Sequence, residues 1–334
     1  MTLQIRTADQ RMQERGKLNI MITAPHGVGK TTLARTLPYA GKSTLFIDLE
    51  SGMEAVKGDV VLPDGTPLGG FAGGDINVRR EAAKLGVHPW AYTKALACLL
   101  GGPDPAAKAG VNQETGDFHS PYSADAYNAY ASAIGDPAMF SGFDTIFVDS
   151  GSVASRSAWS WSLVQPRAYN KQGKQDTLGA YGLVGDEMIE WATQLQHITD
   201  KSVIVLFALD VIKDKDIPGR VSYAIQAIGG RTERELPGIF DNVMTLGTFK
   251  LDQSGNASLD YEKGQHRGLI CTSANGYGVP AKDRTGRAAP IEPPNIAALM
   301  TKLAGAKRAD QVTVTTDIPP HAAAAAEPTA ATAA

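Results

Sequence analysis

The run Ala24-Pro-His-Gly-Val-Gly-Lys-Thr31 holds the residues best suited to chemistry. It fits the pattern G-x-x-x-x-G-K-[ST], except that Ala24 stands in place of the first glycine. In such a loop, Gly27 and Gly29 let successive backbone N–H groups face a phosphate. Lys30 would reach the β- and γ-phosphate oxygens, and the Thr31 hydroxyl would ligate Mg²⁺. The residues expected to contact Mg·ATP are Pro25, His26, Gly27, Val28, Gly29, Lys30, Thr31 and Thr32.

Two carboxylates at the ends of apolar runs could complete such a site. Asp149 ends the run 143–149, where an acid would hold Mg²⁺ through water. Glu50 follows Phe46-Ile-Asp-Leu, and a carboxylate beside the γ-phosphate could orient and deprotonate the attacking water. Asp48 precedes Glu50 by two residues on the same face of the strand, so the spacing alone does not choose between these two acids.

Four apolar runs are predicted to be the buried strands that position these residues: 18–23, 43–48, 143–149 and 202–209. The glycine-rich loop follows the first strand, and a helix from Lys30 to about Leu37 is predicted to follow the loop. Strand, loop, helix and strand form a βαβ unit, which implies a parallel sheet. The predicted fold is therefore α/β, with a mostly parallel twisted sheet flanked by helices.

The rest of the chain is less regular. Residues 52–142 are predicted to be an insertion, because glycines and prolines interrupt the pattern there. Further predicted elements are a hairpin at 60–68, helices at about 79–100, 123–134, 183–199 and 296–303, long loops at 156–176 and 210–237, and antiparallel strands at 241–250 and 257–272 joined by a turn at 253–256. Residues 1–17 are predicted to be an arm, 18–305 the core, and the Ala/Pro/Thr-rich residues 306–334 a disordered tail.

The composition excludes several classes of protein. With 32 Lys and Arg against 35 Asp and Glu, the net charge is −3, so any nucleic-acid site must be a local patch. Two cysteines exclude a disulfide scaffold, and the histidines show no metal-binding spacing. The apolar run 203–209 is too short to span a membrane, and the N-terminal residues have no apolar signal core. We therefore expect a soluble cytoplasmic protein, in a bacterial host if phage-encoded, without a membrane partner.

The sequence from the loop to Ser150 resembles the RecA-type ATPase core. The resemblance rests on GKTTLARTLPYAGK followed by FIDLESG, and then on FDTIFVDS. It is most similar to the compact phage-borne group called RecA-like single-strand annealing ATPases. The resemblance covers roughly 18–50 and 143–303. It implies a RecA-like P-loop NTPase fold, with Glu50 as the catalytic glutamate and Asp149 as the acid of the Walker B strand.

A later segment, Ala281-Lys-Asp-Arg-Thr-Gly286, resembles the K-x-R-x-G element of RecA-fold hexamers such as DnaB and RadA. The resemblance implies that Lys282 and Arg284 act as fingers on a γ-phosphate held by a neighbouring subunit, whereas a plain basic loop is the alternative. A site completed in this way requires a ring or a filament. One position departs from the pattern. The strand 203–209 should end in a Gln or His that senses the γ-phosphate, but Ala208-Leu209-Asp210 stands there. Either Asp210 replaces this sensor or the sensor is lost.

RecA-type cores bind single-stranded DNA through loops after the third and fourth strands. The first matching segment, 156–175, combines cations for phosphates with aromatic side chains for base stacking. Its candidate DNA-binding residues are Arg156, Arg167, Lys171 and Lys174, with Trp159, Trp161 and Tyr169 between them. A solvated loop with the tryptophans packed in the core is the alternative. The second segment, 211–236, is nearly balanced in charge and is the weaker candidate.

Together these features predict a DNA-stimulated ATPase that anneals or exchanges single strands in phage-type recombination or replication. The expected partners are single-stranded DNA, further copies of the chain and a single-strand-binding protein. Two alternatives stay open: a DnaB-like translocase, and a nucleotide-gated scaffold with little turnover.

Overall fold

The computed structural model describes residues 17–61, 65, 67–113, 116–213, 221–250, 266–273, 275 and 277–305. Its strands are β1 (Asn19–Ala24), β2 (Thr44–Asp48), β3 (Val60–Val61), β4 (Pro67–Leu68), β5 (Gly74–Asn77), β6 (Thr145–Asp149), β7 (Ser202–Lys213), β8 (Val221–Ile225), β9 (Asn242–Phe249), β10 (His266–Ile270), β11 (Lys282–Asp283) and β12 (Ile291–Glu292). Its α-helices are α1 (Val78–Leu85), α2 (Pro89–Gly101), α3 (Ala124–Ile134), α4 (Gly151–Ser162), α5 (Thr177–Gln196), α6 (Gly230–Ile239) and α7 (Ile296–Ala304). Short 3-10 helices cover Thr31–Thr36, Pro38–Gly41, Gly52–Val56, Pro137–Phe140 and Pro166–Ala168.

A sheet with β1 near its centre organises the described residues. The strand order is β12-β10-β9-β1-β7-β6-β2-β5, with β11 beside β9 and β8 beside β7. The strands from β9 to β5 in that order run parallel, whereas β8, β10, β11 and β12 pair antiparallel with their neighbours. The prediction of a mostly parallel α/β sheet with a C-terminal antiparallel extension is therefore confirmed.

Both faces of the central strands are buried. On β7, Val203 and Val205 pack into the core formed with helices α1 to α6, whereas Ile204 and Leu206 pack into the core formed with α7 and the 3-10 helices. Because side chains alternate between the faces, each apolar run supplies two cores at once. A register slip by one residue would exchange the two sets, so burial keeps the carboxyl ends of the strands aligned.

The helix predicted from Lys30 to Leu37 is instead the 3-10 helix Thr31–Thr36. Its threonines are β-branched and disfavour a regular α-helix. The Thr36 hydroxyl donates to the carbonyl oxygen of Leu33 at 2.7 Å, a local bond that competes with helix continuation. Leu37 precedes a proline and is extended, which ends the helix.

The single helix predicted at 79–100 is wrong, because the structure has two helices there. Gly86 ends α1 with a φ of +67°, in the left-handed region that favours glycine. Pro89 begins α2, and the His88 side chain accepts a hydrogen bond from the backbone N–H of Trp90. The Gly and Pro together stop one helix and start the next.

Both predicted long loops contain regular structure among the described residues. Ser150 caps α4, so Arg156, Trp159 and Trp161 lie on a helix and not in a loop. The Asp176 carboxylate caps α5 by accepting bonds from the N–H groups of residues 178 and 179, so that helix begins before residue 183. In the second segment β7 continues to residue 213, β8 pairs with it, and α6 follows.

Several predictions fall on residues outside the described part of the chain. These are the arm apart from Lys17, the turn at 253–256, the first part of strand 257–272, the tail at 306–334, and residues 214–220 of the second predicted DNA loop. The hairpin predicted at 60–68 is present as the antiparallel pair β3 and β4, although its tip also lies outside.

Residues 52–142 contribute to the main sheet. β5 adds a parallel strand beside β2, and α1 follows it directly. The buried Arg35, on the 3-10 helix after the glycine-rich loop, holds the start of this segment. Its guanidinium donates five hydrogen bonds to backbone carbonyls of residues 55, 57, 58 and 69.

Replacing Arg35 by Met should lower the free energy of unfolding by about 2–4 kcal/mol, because charge-assisted bonds are lost and carbonyls are left unpaired. Urea denaturation followed by circular dichroism measures the change. The matched control is Arg80→Met, since Arg80 is exposed and paired only with Glu81, and should change stability by less than about 0.5 kcal/mol. Equal stability of the two variants would contradict this role for Arg35.

Candidate functional site

The glycine-rich loop leaves the carboxyl end of β1, where Ala24 pairs with Ala208 of β7. Gly27 and Gly29 have φ angles of +80° and +87°, a conformation that side-chain-bearing residues rarely adopt. A β-carbon on Gly27 would meet no atom within 4 Å, so the backbone conformation itself requires glycine there. The loop therefore has the curled backbone that the sequence pattern predicts for an anion cradle.

The structure brings Lys30, Thr31 and Asp149 together. The Thr31 hydroxyl donates to Asp149 Oδ2 at 2.5 Å, and Lys30 Nζ lies 3.8 Å from Asp149 Oδ1. Asp149 is the last residue of β6, and the loop follows β1, two strands away in the sheet. Parallel strands place their carboxyl ends at one edge, which is why these distant residues meet.

Asp149 is completely buried, and its electrostatics follow from that burial. Burial raises the pKa of Asp149 to about 6, while the Lys30 ammonium and the Thr31 hydroxyl oppose this shift. The nearby carboxylates of Glu50 and Asp48 raise the pKa slightly further. The site therefore holds a buried acid whose negative charge is only partly compensated.

Asp48 and Glu50, between which the sequence spacing does not choose, have different surroundings in the structure. Asp48 is buried, and its carboxylate accepts bonds from Gly52 N at 2.9 Å and Asn77 Nδ2 at 3.5 Å. Glu50 is exposed, and the Ser150 hydroxyl donates to its Oε1 at 2.5 Å. Asp48 is thus occupied in holding the chain after β2. Glu50 lies near Asp149, and within the described part of the chain its second carboxylate oxygen accepts no hydrogen bond.

The donor set fits a magnesium ion. Hard divalent cations prefer hydroxyl, carboxylate and water oxygens. Asp149 Oδ1 is buried without a hydrogen-bond partner, next to the Thr31 hydroxyl. Among the described residues no group of three or more His, Cys, Asp or Glu forms a separate metal cluster. A cation here would therefore depend on Thr31, Asp149, water and the bound ligand.

A cavity of about 710 Å³ opens beside Glu50. His26 of the loop, Arg79 at the start of α1, and Arg156 of α4 also line it. Neither arginine forms an ion pair with a carboxylate within the described part of the chain; Arg156 Nη1 donates to Gln226 Oε1 at 3.1 Å. The charged side chains of the lining are thus two arginines and Glu50, among apolar, histidine and hydroxyl side chains.

Gln226 is a residue that the sequence reasoning missed. Its backbone N–H donates to the carbonyl oxygen of Ala208 at 2.8 Å, beside the start of the loop. Its side-chain amide donates to Asp210 Oδ1 at 2.9 Å and accepts from Arg156. Asp210 lies within β7, facing Ala224 of β8. The Gln226 side chain thus lies next to the end of the buried part of β7, although Gln226 follows β8. No motif around residue 226 in the sequence predicts this position.

Lys282 and Arg284 lie at the other edge of the sheet. β11 pairs with the beginning of β9, which is the amino edge, whereas the loop lies at the carboxyl edge. Lys282 Nζ donates to the carbonyl oxygens of residues 238 and 240 at 2.9 and 2.8 Å, and burial lowers its pKa. Arg284 pairs with Asp241 at 2.6 Å and is half exposed. Neither contacts the loop of its own chain, so their role towards a neighbour stays a prediction.

The four candidate DNA-binding residues do not form one patch. Arg156 lines the cavity beside Glu50, whereas Arg167 lines a separate cavity of about 510 Å³ and pairs with Asp186 at 2.6 Å. Lys171 and Lys174 lie in an exposed turn stabilised by the side chain of Asn170.

Both tryptophans of this segment are engaged within the chain. Trp159 stacks on Tyr181 with ring centroids 4.6 Å apart. Lys94 Nζ lies 3.8 Å above the ring of Trp161. Both side chains are partly buried on a helix and pack against the core, so the structure matches neither an open loop nor two fully buried tryptophans.

Replacing Asp149 by Asn should stabilise the fold at pH 7 without nucleotide or Mg²⁺, by up to about 3 kcal/mol. The folded-state pKa of about 6 exceeds the ordinary 3.8, so the folded state binds the extra proton, and wild-type stability falls as the pH rises from 4 through 6. Urea denaturation across that range should show the advantage of the Asn variant vanish near pH 4. The control Asp75→Asn replaces an exposed acid, and its stability difference from wild type should not change over this pH range. A constant difference at every pH would contradict this account.

Comparison with known proteins gives a family and two distant structural likenesses. A family model described as an AAA domain matches residues 16–285 of the 334 residues. A prototypical ATPase of the type III secretion system of pathogenic bacteria is 14% identical, with a TM-score of 0.30, over 71% of this chain and 51% of that one, so the chain spans about half its length. A KaiC-like protein of Pyrococcus horikoshii OT3 is 12% identical, with a TM-score of 0.27, over 78% and 88%. No curated protein shows significant sequence similarity.

The family match includes the glycine-rich loop, Glu50, Asp149 and the strands that precede them. It extends to residues 282–285. Within the described ranges no helix is long and apolar enough to cross a membrane. The fold is an α/β P-loop fold, and the chain belongs to the AAA domain family.

Proposed function

We propose that this protein hydrolyses ATP at the phosphate loop and uses the reaction to act on single-stranded DNA, by annealing or strand exchange in phage-type recombination or replication. One observation carries the first part of the proposal. The carboxyl ends of three parallel strands bring a cation, a hydroxyl, a buried acid and an exposed acid to one edge of the sheet: Lys30, Thr31, Asp149 and Glu50.

In this proposal each residue has a separate task. The N–H groups of the loop and Lys30 hold the phosphates, and Lys30 stabilises charge on the transferred group. Thr31 and Asp149 would hold Mg²⁺, which supplies positive charge to the phosphate oxygens when bound. Glu50 accepts the proton of the attacking water, and the Ser150 hydroxyl fixes the orientation of the Glu50 carboxylate at 2.5 Å.

Replacing Glu50 by Gln should lower kcat for ATP hydrolysis by about 100-fold or more while ATP still binds, because the general base is removed and the loop is not. Lys30→Ala should abolish hydrolysis and weaken binding. The control is Glu54→Gln, an exposed acid four residues later, which should hydrolyse ATP normally. A phosphate-release assay and equilibrium binding measure the two effects. A Glu50→Gln variant that keeps its DNA activity would support the nucleotide-gated scaffold instead.

The DNA part of the proposal rests on charge near Glu50. Arg79 and Arg156 line the same cavity as Glu50 without a carboxylate partner among the described residues, so both are available to phosphates. Lys171 and Lys174 add two exposed cations farther along the chain. Gln226 bonds to both Arg156 and the strand beside the loop, which offers a route from a bound strand to the nucleotide site.

Assembly into a ring or filament remains part of the proposal. Arg284 is the stronger candidate for a finger from a neighbouring subunit, because among the described residues a single exposed ion pair, with Asp241, holds its side chain. Lys282 donates to two carbonyl groups at the end of α6 and is better suited to positioning that segment.

Single-stranded DNA should raise ATP turnover about tenfold or more, a barrier change of about 1.4 kcal/mol. The double variant Arg79→Gln/Arg156→Gln should lose most of that stimulation while basal turnover remains, because the cavity loses both free cations. The control is Arg80→Gln, which follows Arg79 on the same helix but is paired with Glu81. Turnover is measured with and without an oligonucleotide at fixed salt. If single-stranded DNA does not change the turnover of the wild-type protein, the proposed action on DNA is contradicted. The proposal that the protein hydrolyses ATP would still stand.

A further inference from the structure

An arginine from the C-terminal part of the sheet reaches the phosphate loop. Arg267 lies on β10, and its Nη1 donates to the carbonyl oxygen of Val28 at 3.2 Å. A β-carbon built on Gly29 would lie only 2.5 Å from the same nitrogen. The guanidinium is therefore packed directly against the two loop residues that precede Lys30.

The sheet topology explains how β10 reaches this point. β9 pairs with β1 up to the pair Thr23 and Thr245, and β10 pairs with β9 beyond that point, with Arg267 opposite Thr248. Thr248 lies three residues past Thr245, which is roughly 10 Å farther along the strand towards the loop. A long side chain on β10 can thus extend over the loop, although the two are more than 230 residues apart in sequence.

Among the described residues, no acid offsets the charge of the Arg267 guanidinium. It forms no ion pair with a carboxylate within the described part of the chain, and it makes one hydrogen bond, to Val28, although it carries five N–H donors. The Arg267 side chain is exposed overall, and burial of part of it lowers its pKa. Arg231 and Arg284 of the same chain, by contrast, each pair with an acid.

An exposed cation that lies against the loop, with no acid partner among the described residues, attracts an anion to that place. The loop beside it presents backbone N–H groups to an anion, and Lys30 is already paired with Asp149. A polyphosphate on the loop would offset the charge of Arg267 and use its free donors.

We propose that Arg267 binds the polyphosphate of the nucleotide, from the same chain that supplies the loop, as a second fixed cation beside Lys30. This inference rests on the proposed nucleotide site and names a further residue of it. Arg267 differs in kind from Lys282 and Arg284, because it completes the site within one subunit and requires no assembly.

The test is equilibrium binding of ADP and of a non-hydrolysable ATP analogue to the full chain, by isothermal titration calorimetry at low and high salt. Arg267→Gln should weaken both nucleotides on the order of tenfold at low salt, with a smaller loss at high salt because the contact is ionic. Arg267→Lys should recover most of the affinity, since a positive charge returns to the site. Thermal unfolding of each variant checks that the fold is retained.

The matched control is His266→Gln on the same strand. His266 stacks on Phe249, away from the loop contact, and its replacement should leave nucleotide affinity unchanged. Unchanged affinity in Arg267→Gln would overturn the inference. Equal losses in Arg267→Gln and Arg267→Lys, independent of salt, would also overturn it, because they would indicate a packing role. A wild-type chain that binds neither nucleotide would overturn the proposed function, and this inference with it.

Discussion

The contact between the Thr31 hydroxyl and the buried Asp149 carboxylate is the interaction on which the site depends. It joins the loop after β1 to the end of β6, across the intervening strand β7. The contact exists only because the carboxyl ends of these strands lie at one edge. That alignment in turn follows from burial on both faces of the sheet, which leaves each strand one acceptable register.

The same constraint explains why local sequence predicts which residues lie at this edge of the sheet. Buried parallel strands appear in a sequence as continuous apolar runs, and the residue after each run marks the carboxyl edge. Glycines with left-handed backbone are also a local signal, as Gly27 and Gly29 illustrate. The loop and Asp149 could therefore be located from the sequence alone. Spacing alone does not separate Glu50 from Asp48, because the hydrogen bonds that distinguish their surroundings come from Ser150 and Asn77, which are distant in sequence.

The errors share a physical origin. The polar composition of these segments predicts loops, yet one side chain that caps the first backbone N–H groups, Ser150 or Asp176, is enough to begin a helix. No sequence motif marks Arg267 or Gln226, because the pairing of their strands with other strands brings them near the loop. For Lys282 and Arg284 a short pattern predicts a role towards a neighbouring subunit, and within this chain Lys282 donates to carbonyl groups while Arg284 pairs with an acid.

Arg35 joins two parts of the chain. Its five hydrogen bonds connect the helix after the phosphate loop to backbone carbonyls between residues 55 and 69. The bonded carbonyls lie on both sides of the exposed β3–β4 hairpin, before residue 60 and after residue 68. One buried side chain therefore closes the base of the hairpin and joins it to the helix that follows the phosphate loop.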